Sequence, residues 1–329
     1  MGETALIQRR SLIASAVLCA VPAIGLAQGR DFPNKPLRII VPFGAGSSSD
    51  ANARFVAEKM AGLLGQPVYV ENKPGASGAI GLLAAKNLPA DGYTIVQASI
   101  SPMSVNPVVM KDLGYDPVKD FKALFGMARG MNVVLVSSES KFKTLADLLA
   151  ASKANPLSVG TFSAGYHLAA EWMAAEAGVK IVNIPYKGQG LIMTDIMGNQ
   201  LDFAVVDLAG AVPLLTSGKM RALAVSGETR HPDFPAIPAV RETLPRYVQY
   251  SWNAFYVRSQ TPDDVTAKIA EALKQAMATN EGRELMKKSG MEFVPASPAE
   301  MQRFMREEIE RFQRIAKAAG IQPVSNTTP

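Results

Sequence analysis

Leu37-Arg38-Ile39-Ile40-Val41-Pro42-Phe43-Gly44-Ala45-Gly46-Ser47-Ser48-Ser49-Asp50 sets the pattern of the chain. The apolar run Leu37 to Phe43 reads as a buried strand. Gly44 to Asp50 is a polar turn. Ala53, Val56, Ala57, Met60 and Leu64 then recur at helical spacing. Strand, glycine-serine turn and amphipathic helix form one unit of a parallel sheet whose faces are covered by helices.

The same grammar repeats outward. Pro67 to Val70 is a second strand, Pro74-Gly75-Ala76-Ser77-Gly78 a loop, and Ile80 to Lys86 a helix. Asp91-Gly92 is a turn that launches strand Tyr93 to Ala98. A second series gives strands over Asn132 to Val136, Leu157 to Thr161, Ile181 to Pro185, Leu201 to Val206 and Arg221 to Val225. Helices over Leu145 to Ala154, Leu168 to Ala177 and Leu191 to Met197 separate most of them. The segment His231 to Pro238 holds three prolines and no period, which makes it a loop.

After Trp252 to Val257, one more strand, two long helices are expected. The first opens at Thr261-Pro262-Asp263-Asp264, the second at Ser297-Pro298-Ala299-Glu300, where the glutamate completes a capping box. No third strand-helix series appears in the tail, so it is expected to return to the first lobe. The domains that follow are a leader over 1–27, lobe 1 over 28–130 and 250–329, and lobe 2 over 131–249. Two crossings would form the hinge. About 300 residues exceed what one core usually organises.

The N-terminus carries an address. Gln8, Arg9 and Arg10 precede a mostly apolar run from Leu12 to Leu26, which closes on Gly25-Leu26-Ala27. This reads as an export signal cut after Ala27, which places the working protein in the periplasm. The run is short for a bilayer span of roughly 20 residues, and Pro22 interrupts it. Arg9-Arg10 fits a twin-arginine signal or a general secretory head. Cys19, the chain's one cysteine, leaves with the leader, and with it go disulfides, thiolate metal sites and cysteine nucleophiles. The cut removes two of 34 basic and one of 29 acidic residues, lowering the net charge from +5 to +4. Those cations are spread thinly and are not interleaved with aromatics, so nucleic acid is not an expected partner.

Enzymatic constellations are poor. His167 and His231 are the only histidines and lack metal-ligand spacing. No G-x-S-x-G elbow occurs, and Gly44 to Asp50 lacks the ending of a phosphate loop. A dinucleotide fold would use Gly44-x-Gly46 with Glu71 on the ribose, but Ser49 stands where its third glycine belongs. No catalysis, metal or cofactor is expected.

Ligands of open parallel sheets sit outside the carboxyl ends of the strands. Here those turns are Phe43 to Asp50, Asn72 to Gly78, Ala98 to Asn106, Thr161 to His167, Tyr186 to Gly190 and Asp207 to Gly210. They are rich in Gly, Ser, Thr and Asn and nearly free of cations. Gly44 and Gly46 admit close backbone approach, while Ser47, Ser48, Ser49, Ser77 and Ser101 bring hydroxyls. Each has a plainer reading too: the serines and Asp50 as caps, Pro74 to Gly78 as a turn, His167 as a capping group, Tyr186 as packing. Lys187 and Asp207 could equally line a cleft or face solvent.

Helix N-termini contribute roughly 0.3–1 kcal/mol to an anion, and charge-assisted hydrogen bonds about 1.5–3 each. A micromolar ligand needs about 8 kcal/mol. Loops from two lobes must therefore close on it.

These stretches together resemble a known family. Val41-Pro42-Phe43-Gly44-Ala45-Gly46 with Asp50, Val70 to Gly78, and Asp91-Gly92-Tyr93-Thr94 are similar to the Bug-type solute receptors of tripartite tricarboxylate transporters. So are Asn106-Pro107, Asp120-Phe121, His167-Leu168, Pro185-Tyr186-Lys187-Gly188 and Gly218 to Val225. The resemblance covers nearly the whole chain after the leader. It implies a periplasmic-binding fold of type II, with two α/β lobes and a cleft for a carboxylated solute. It further implies contacts from Phe43, Gly44, Ala45 and Ser47 to Asp50 on one lobe, and from Thr161, Phe162, Ser163, Gly165 and His167 on the other. Asp207 would meet the variable end of the solute. The first loop departs from the family's usual Pro-Pro-Gly-Gly. The implied partners are a small organic acid and membrane permease subunits, with the receptor a monomer. The alternative is a receptor that feeds a signalling pathway without its own permease.

Overall fold

The computed structural model describes residues 32–288 and 291–325, so the leader lies outside the described residues. The described residues from Pro33 onward form one compact unit. It begins with β1 (Leu37–Val41), α1 (Ser48–Leu64), β2 (Val68–Asn72), α2 (Ala79–Lys86) and β3 (Thr94–Ser99). A π-helical turn over Ser101–Val105 leads to α3 (Asn106–Val109), β4 (Met110–Lys111) and α4 (Pro117–Asp120). Next come β5 (Phe121–Ser137), α5 (Leu145–Ala154), β6 (Leu157–Thr161), α6 (Ala164–Ala177) and β7 (Ile181–Pro185). Then follow α7 (Gln189–Met197), β8 (Phe203–Asp207), α8 (Leu208–Thr216), β9 (Met220–Val225) and β10 (Tyr250–Arg258). The tail is α9 (Asp263–Met277), α10 (Asn280–Lys288), β11 (Met291–Ala296), α11 (Pro298–Ala318) and β12 (Val324–Ser325).

The sheet runs β2-β1-β3-β10-β5-β8-β6-β7, with β9 and β11 also paired to β5. β1, β2 and β3 are parallel, as are β6, β7 and β8. β5 joins the two parallel groups. Its first part pairs with β10 from Phe121 to Met131, and its last part pairs with β8 and β9 from Asn132 to Ser137. The chain crosses back near Gln249, whose N–H donates to Ser226 O. Ser226 Oγ accepts from Asn132 N at 2.8 Å and donates to Gln249 O. One buried hydroxyl thus ties both crossings together.

Burial follows the strand pattern. Ile39, Ile40 and Val41 are fully buried, which stabilises each by about 1.5–3 kcal/mol relative to exposure. Ile40, Val96, Leu82, Trp252 and Phe312 share a core on the β1–β3 side. The β6–β8 side has two cores, one around Val159, Phe203 and Trp172, the other around Leu135, Ile192 and Val206.

The fold class expected from the sequence is observed, with differences in detail. β5 begins eleven residues before the expected start at Asn132, because Gly126, Arg129 and Gly130 break the apolar run. Gly126 is needed there: a Cβ would stand 2.8 Å from that of Ala296 on β11. β11 and the short α10 were not expected; polar Glu292 and Pro295 hide the former. α8 was also missed, since Gly210 and Pro213 discourage a helical reading. Thr261 does not cap α9. Pro262 holds that position, and its carbonyl accepts from Thr266 N and Oγ1. The capping box of Ser297 and Glu300 is present.

Candidate functional site

All six turns named above lie at the carboxyl ends of parallel strands, where β1, β2, β3, β6, β7 and β8 end. The Phe43 to Asp50 turn is held from inside. Asp50 is buried in the first turn of α1, and its Oδ2 accepts from Gly46 N at 2.9 Å and Arg54 Nε at 3.0 Å. Its Oδ1 accepts from Asn72 Nδ2 at 2.9 Å, and the same amide group donates to Phe43 O at 3.0 Å. Burial alone would raise the Asp50 pKa; the Arg54, Gly46 and Asn72 hydrogen bonds outweigh it and hold the carboxyl below its ordinary value. Asp50 therefore fixes the turn with its side chain. Ser47 is the N-cap and accepts from Asp50 N.

What the turn leaves over is a set of donors. Gly44, Ala45, Gly46 and Ser48 are exposed. Among the described residues, no protein acceptor takes up the N–H of Gly44, Ala45, Ser48 or Ser49. Those amides sit at and before the start of a 17-residue helix, at its positive end. Arg54 is engaged with Asp50 and Asn72, and Lys73 pairs with Glu71. The donor set is neutral, and it suits an anion.

The next turn is strained. Gly75, Ala76, Ser77 and Gly78 have φ of 127°, 46°, 51° and 92°. The left-handed region costs a non-glycine residue about 1–2 kcal/mol. Asn106 Nδ2 anchors the segment on Ser77 O at 3.2 Å. This geometry sends Ser77 Oγ to the N–H of Ala164, 3.0 Å away on α6. Ser101 Oγ lies 3.1 Å from Gly165 N and 3.0 Å from Ser163 Oγ. Turns from the two parallel groups thus meet directly.

The remaining candidates divide. Thr161 is buried, with its hydroxyl 2.6 Å from Asn183 Oδ1. Phe162 stacks on Tyr166 with centroids 4.3 Å apart. His167 is exposed one turn into α6, its Nε2 3.4 Å from Glu171 Oε1. Tyr186 donates to Asp195 at 2.5 Å; burial first and then that carboxylate push its pKa up to about 12. Asp207 ends β8 and accepts from Ser251 Oγ of β10 at 3.0 Å. Burial raises its pKa, against the lowering effect of hydrogen bonds from Tyr166 and Ser251. Its carboxylate is thus engaged by Ser251 and Tyr166. Lys187 is exposed.

Asn72, Asn106, Tyr166 and Ser251 do work that sequence reasoning did not assign to them. Asn72 and Asn106 could have been found, since Asn72 opens one strand-to-helix turn and Asn106 closes another. Tyr166 and Ser251 left no local signal.

Two cavities of about 640 and 390 Å³ lie away from these turns. The larger runs between Trp252, Phe304 and Met301, and its charges are paired: Arg311 with Glu308, Arg129 with Glu292, Arg303 with Glu307. The smaller is lined by Tyr250, His231 and Met291. Neither offers the free donors of the Phe43 to Asp50 turn. Among the described residues, no group of His, Cys, Asp and Glu could hold a metal ion, and no helix is long and apolar enough to cross a membrane.

Comparison with known proteins agrees with this geometry. The model of the tripartite tricarboxylate transporter family receptor matches residues 52–321. A UPF0065 protein from the gbd 5' region of Cupriavidus necator is 32% identical, over 95% of this chain and 98% of its own. BugT of Bordetella pertussis is 30% identical, over 94% and 98%. Among solved structures, R. palustris Rpa4515 with adipate superposes with a TM-score of 0.84 at 29% identity, covering 89% of this chain and all of that one. The periplasmic binding protein BugD gives 0.82 at 28% identity, with 89% and 100% covered. The solute-binding fold expected from the sequence is therefore the fold of this chain. The chain belongs to the tripartite tricarboxylate transporter receptor family.

Proposed function

We propose that the protein is an exported receptor that encloses a small carboxylate-bearing solute between two lobes and presents it to membrane permease subunits. The lobes comprise residues 28–130 with 250–329, and residues 131–249. β5 and the Ser226–Gln249 crossing serve as the hinge. The leader is cut after Ala27, and the receptor works in the periplasm as a monomer without catalysis.

The observation that carries this reading is the set of unengaged amides at Gly44, Ala45, Ser48 and Ser49. Four N–H groups at a helix's positive end can share two carboxylate oxygens, and each charge-assisted bond is worth about 1.5–3 kcal/mol. Phe43 and Ser47 to Ser49 frame that grip. Thr161, Phe162, Ser163 and His167 form the facing wall, and Tyr186 borders the far end. Adipate in Rpa4515 supports a dicarboxylate as the solute class.

Thermal-shift screening against mono-, di- and tricarboxylates, amino acids and aromatic acids tests the reading. A dicarboxylate should raise the melting temperature progressively with concentration, by mass action. A flat response to every acid, with a folded protein, refutes it.

A further inference from the structure

We propose that Ser77 and Ser101 form a clasp that shuts the two lobes, by capping the first turn of α6 across the cleft. The inference rests on the two-lobe reading above. α6 has no cap of its own, since the side chain at its N-cap position, Ser163, accepts no backbone N–H of the helix. The first two amides of that helix find acceptors on the other side: Ala164 N on Ser77 Oγ at 3.0 Å, Gly165 N on Ser101 Oγ at 3.1 Å. These are the donors that a helix start leaves orphaned. Here their partners lie 87 and 64 residues away in sequence, on the β2–α2 and β3–α3 turns.

Three features show that the contact is built. Ser101 is 2% exposed and Ser163 8%, and their hydroxyls meet at 3.0 Å. A Cβ on residue 165 would stand 2.7 Å from Ser101 Oγ, so only glycine admits the hydroxyl. Ser77 reaches α6 from a left-handed backbone that is otherwise unfavourable for serine, in an Ala76-Ser77 pair bracketed by Gly75 and Gly78. Opening the lobes leaves two helix amides without protein partners, and closing them restores both. The amides of Ala164 and Gly165 therefore belong to closure.

The test needs no solute. In the full chain with Cys19→Ser, the exposed Ile80 of α2 and Leu191 of α7 are replaced by cysteine and spin-labelled, one on each lobe. Pulsed dipolar spectroscopy then reads the distance between the labels. The ligand-free protein should give a population at the distance of this structure. Ser77→Ala with Ser101→Ala removes two hydrogen bonds and should lower the closed-to-open ratio about 30-fold, bringing in a longer distance. Gly165→Ala, which displaces Ser101 without deleting any acceptor, should shift it the same way. An unchanged or shorter distance in both variants, with their helical circular dichroism intact, overturns the clasp. Failure of every acid to bind would instead strike at the receptor reading, and would leave this distance measurement valid.

Discussion

Asn72 holds Asp50: Nδ2 of the amide is 2.9 Å from Oδ1 of the carboxylate and, at 3.0 Å, also grips the carbonyl of Phe43. Three donors converge on one buried acid whose task is to hold a turn. Asp50→Ala strands the amides of Asn72 and Gly46. It should cost about 1–3 kcal/mol in urea unfolding and weaken acid binding by at least tenfold. The Asp50 pKa lies below its ordinary value of 3.8. Its stabilising contribution is thus complete above that pH and is lost as pH falls through the depressed value. Wild type and Asp50→Ala should converge in stability only below about pH 4.

Gly44 and Gly46 separate shape from grip. Gly46 has φ of 81° and Gly44 lies outside the left-handed region; a Cβ on either meets nothing within 4 Å. Gly46→Ala should cost about 1–2 kcal/mol from backbone strain alone. Gly44→Ala should change stability by less than about 0.5 kcal/mol. It should still weaken acid binding, because its methyl stands where the solute approaches. Melting curves and titration calorimetry on the two variants distinguish the effects.

Asp207 should give the opposite pH slope to Asp50. Its pKa is raised, chiefly by burial. Between the ordinary value of 3.8 and the raised one, the native state holds a proton that the unfolded chain has released. The group therefore removes stability as pH rises through that window. Asp207→Asn should flatten this part of the profile, as read by urea midpoints from pH 4 to pH 7. An unchanged slope would contradict the assignment.

Ser226 is the structural weak point of the crossings. Ser226→Ala leaves Asn132 N and Gln249 O without their hydroxyl partner in a buried place and should cost about 1–3 kcal/mol. Urea unfolding measures it.

Local chemistry explains what the sequence disclosed. The run from Leu37 to Leu64 carries its strand, turn and helix in adjacent residues, and the structure differs by two residues at the end of β1. Ser297 and Glu300 likewise announced their own cap. Nonlocal choices stayed hidden. β5 accepts glycines because β11 passes close to Gly126, and nothing near residue 126 reveals Ala296. Nothing near residue 165 reveals that Ser101 packs against Gly165. Asp207 could be read as lining a cleft or facing solvent, and nothing near it in sequence revealed Ser251 as a partner.

The most direct measurement of the central claim is titration calorimetry of the dicarboxylate that raises the melting temperature most against its uncharged diamide, at equal ionic strength. A grip by backbone amides on carboxylate oxygens should bind the diacid at least a hundredfold more tightly than the diamide, and Gly44→Ala should erase most of that preference. Equal affinity for the two, or binding of the diacid that Gly44→Ala and Asp50→Ala both leave untouched, would contradict it.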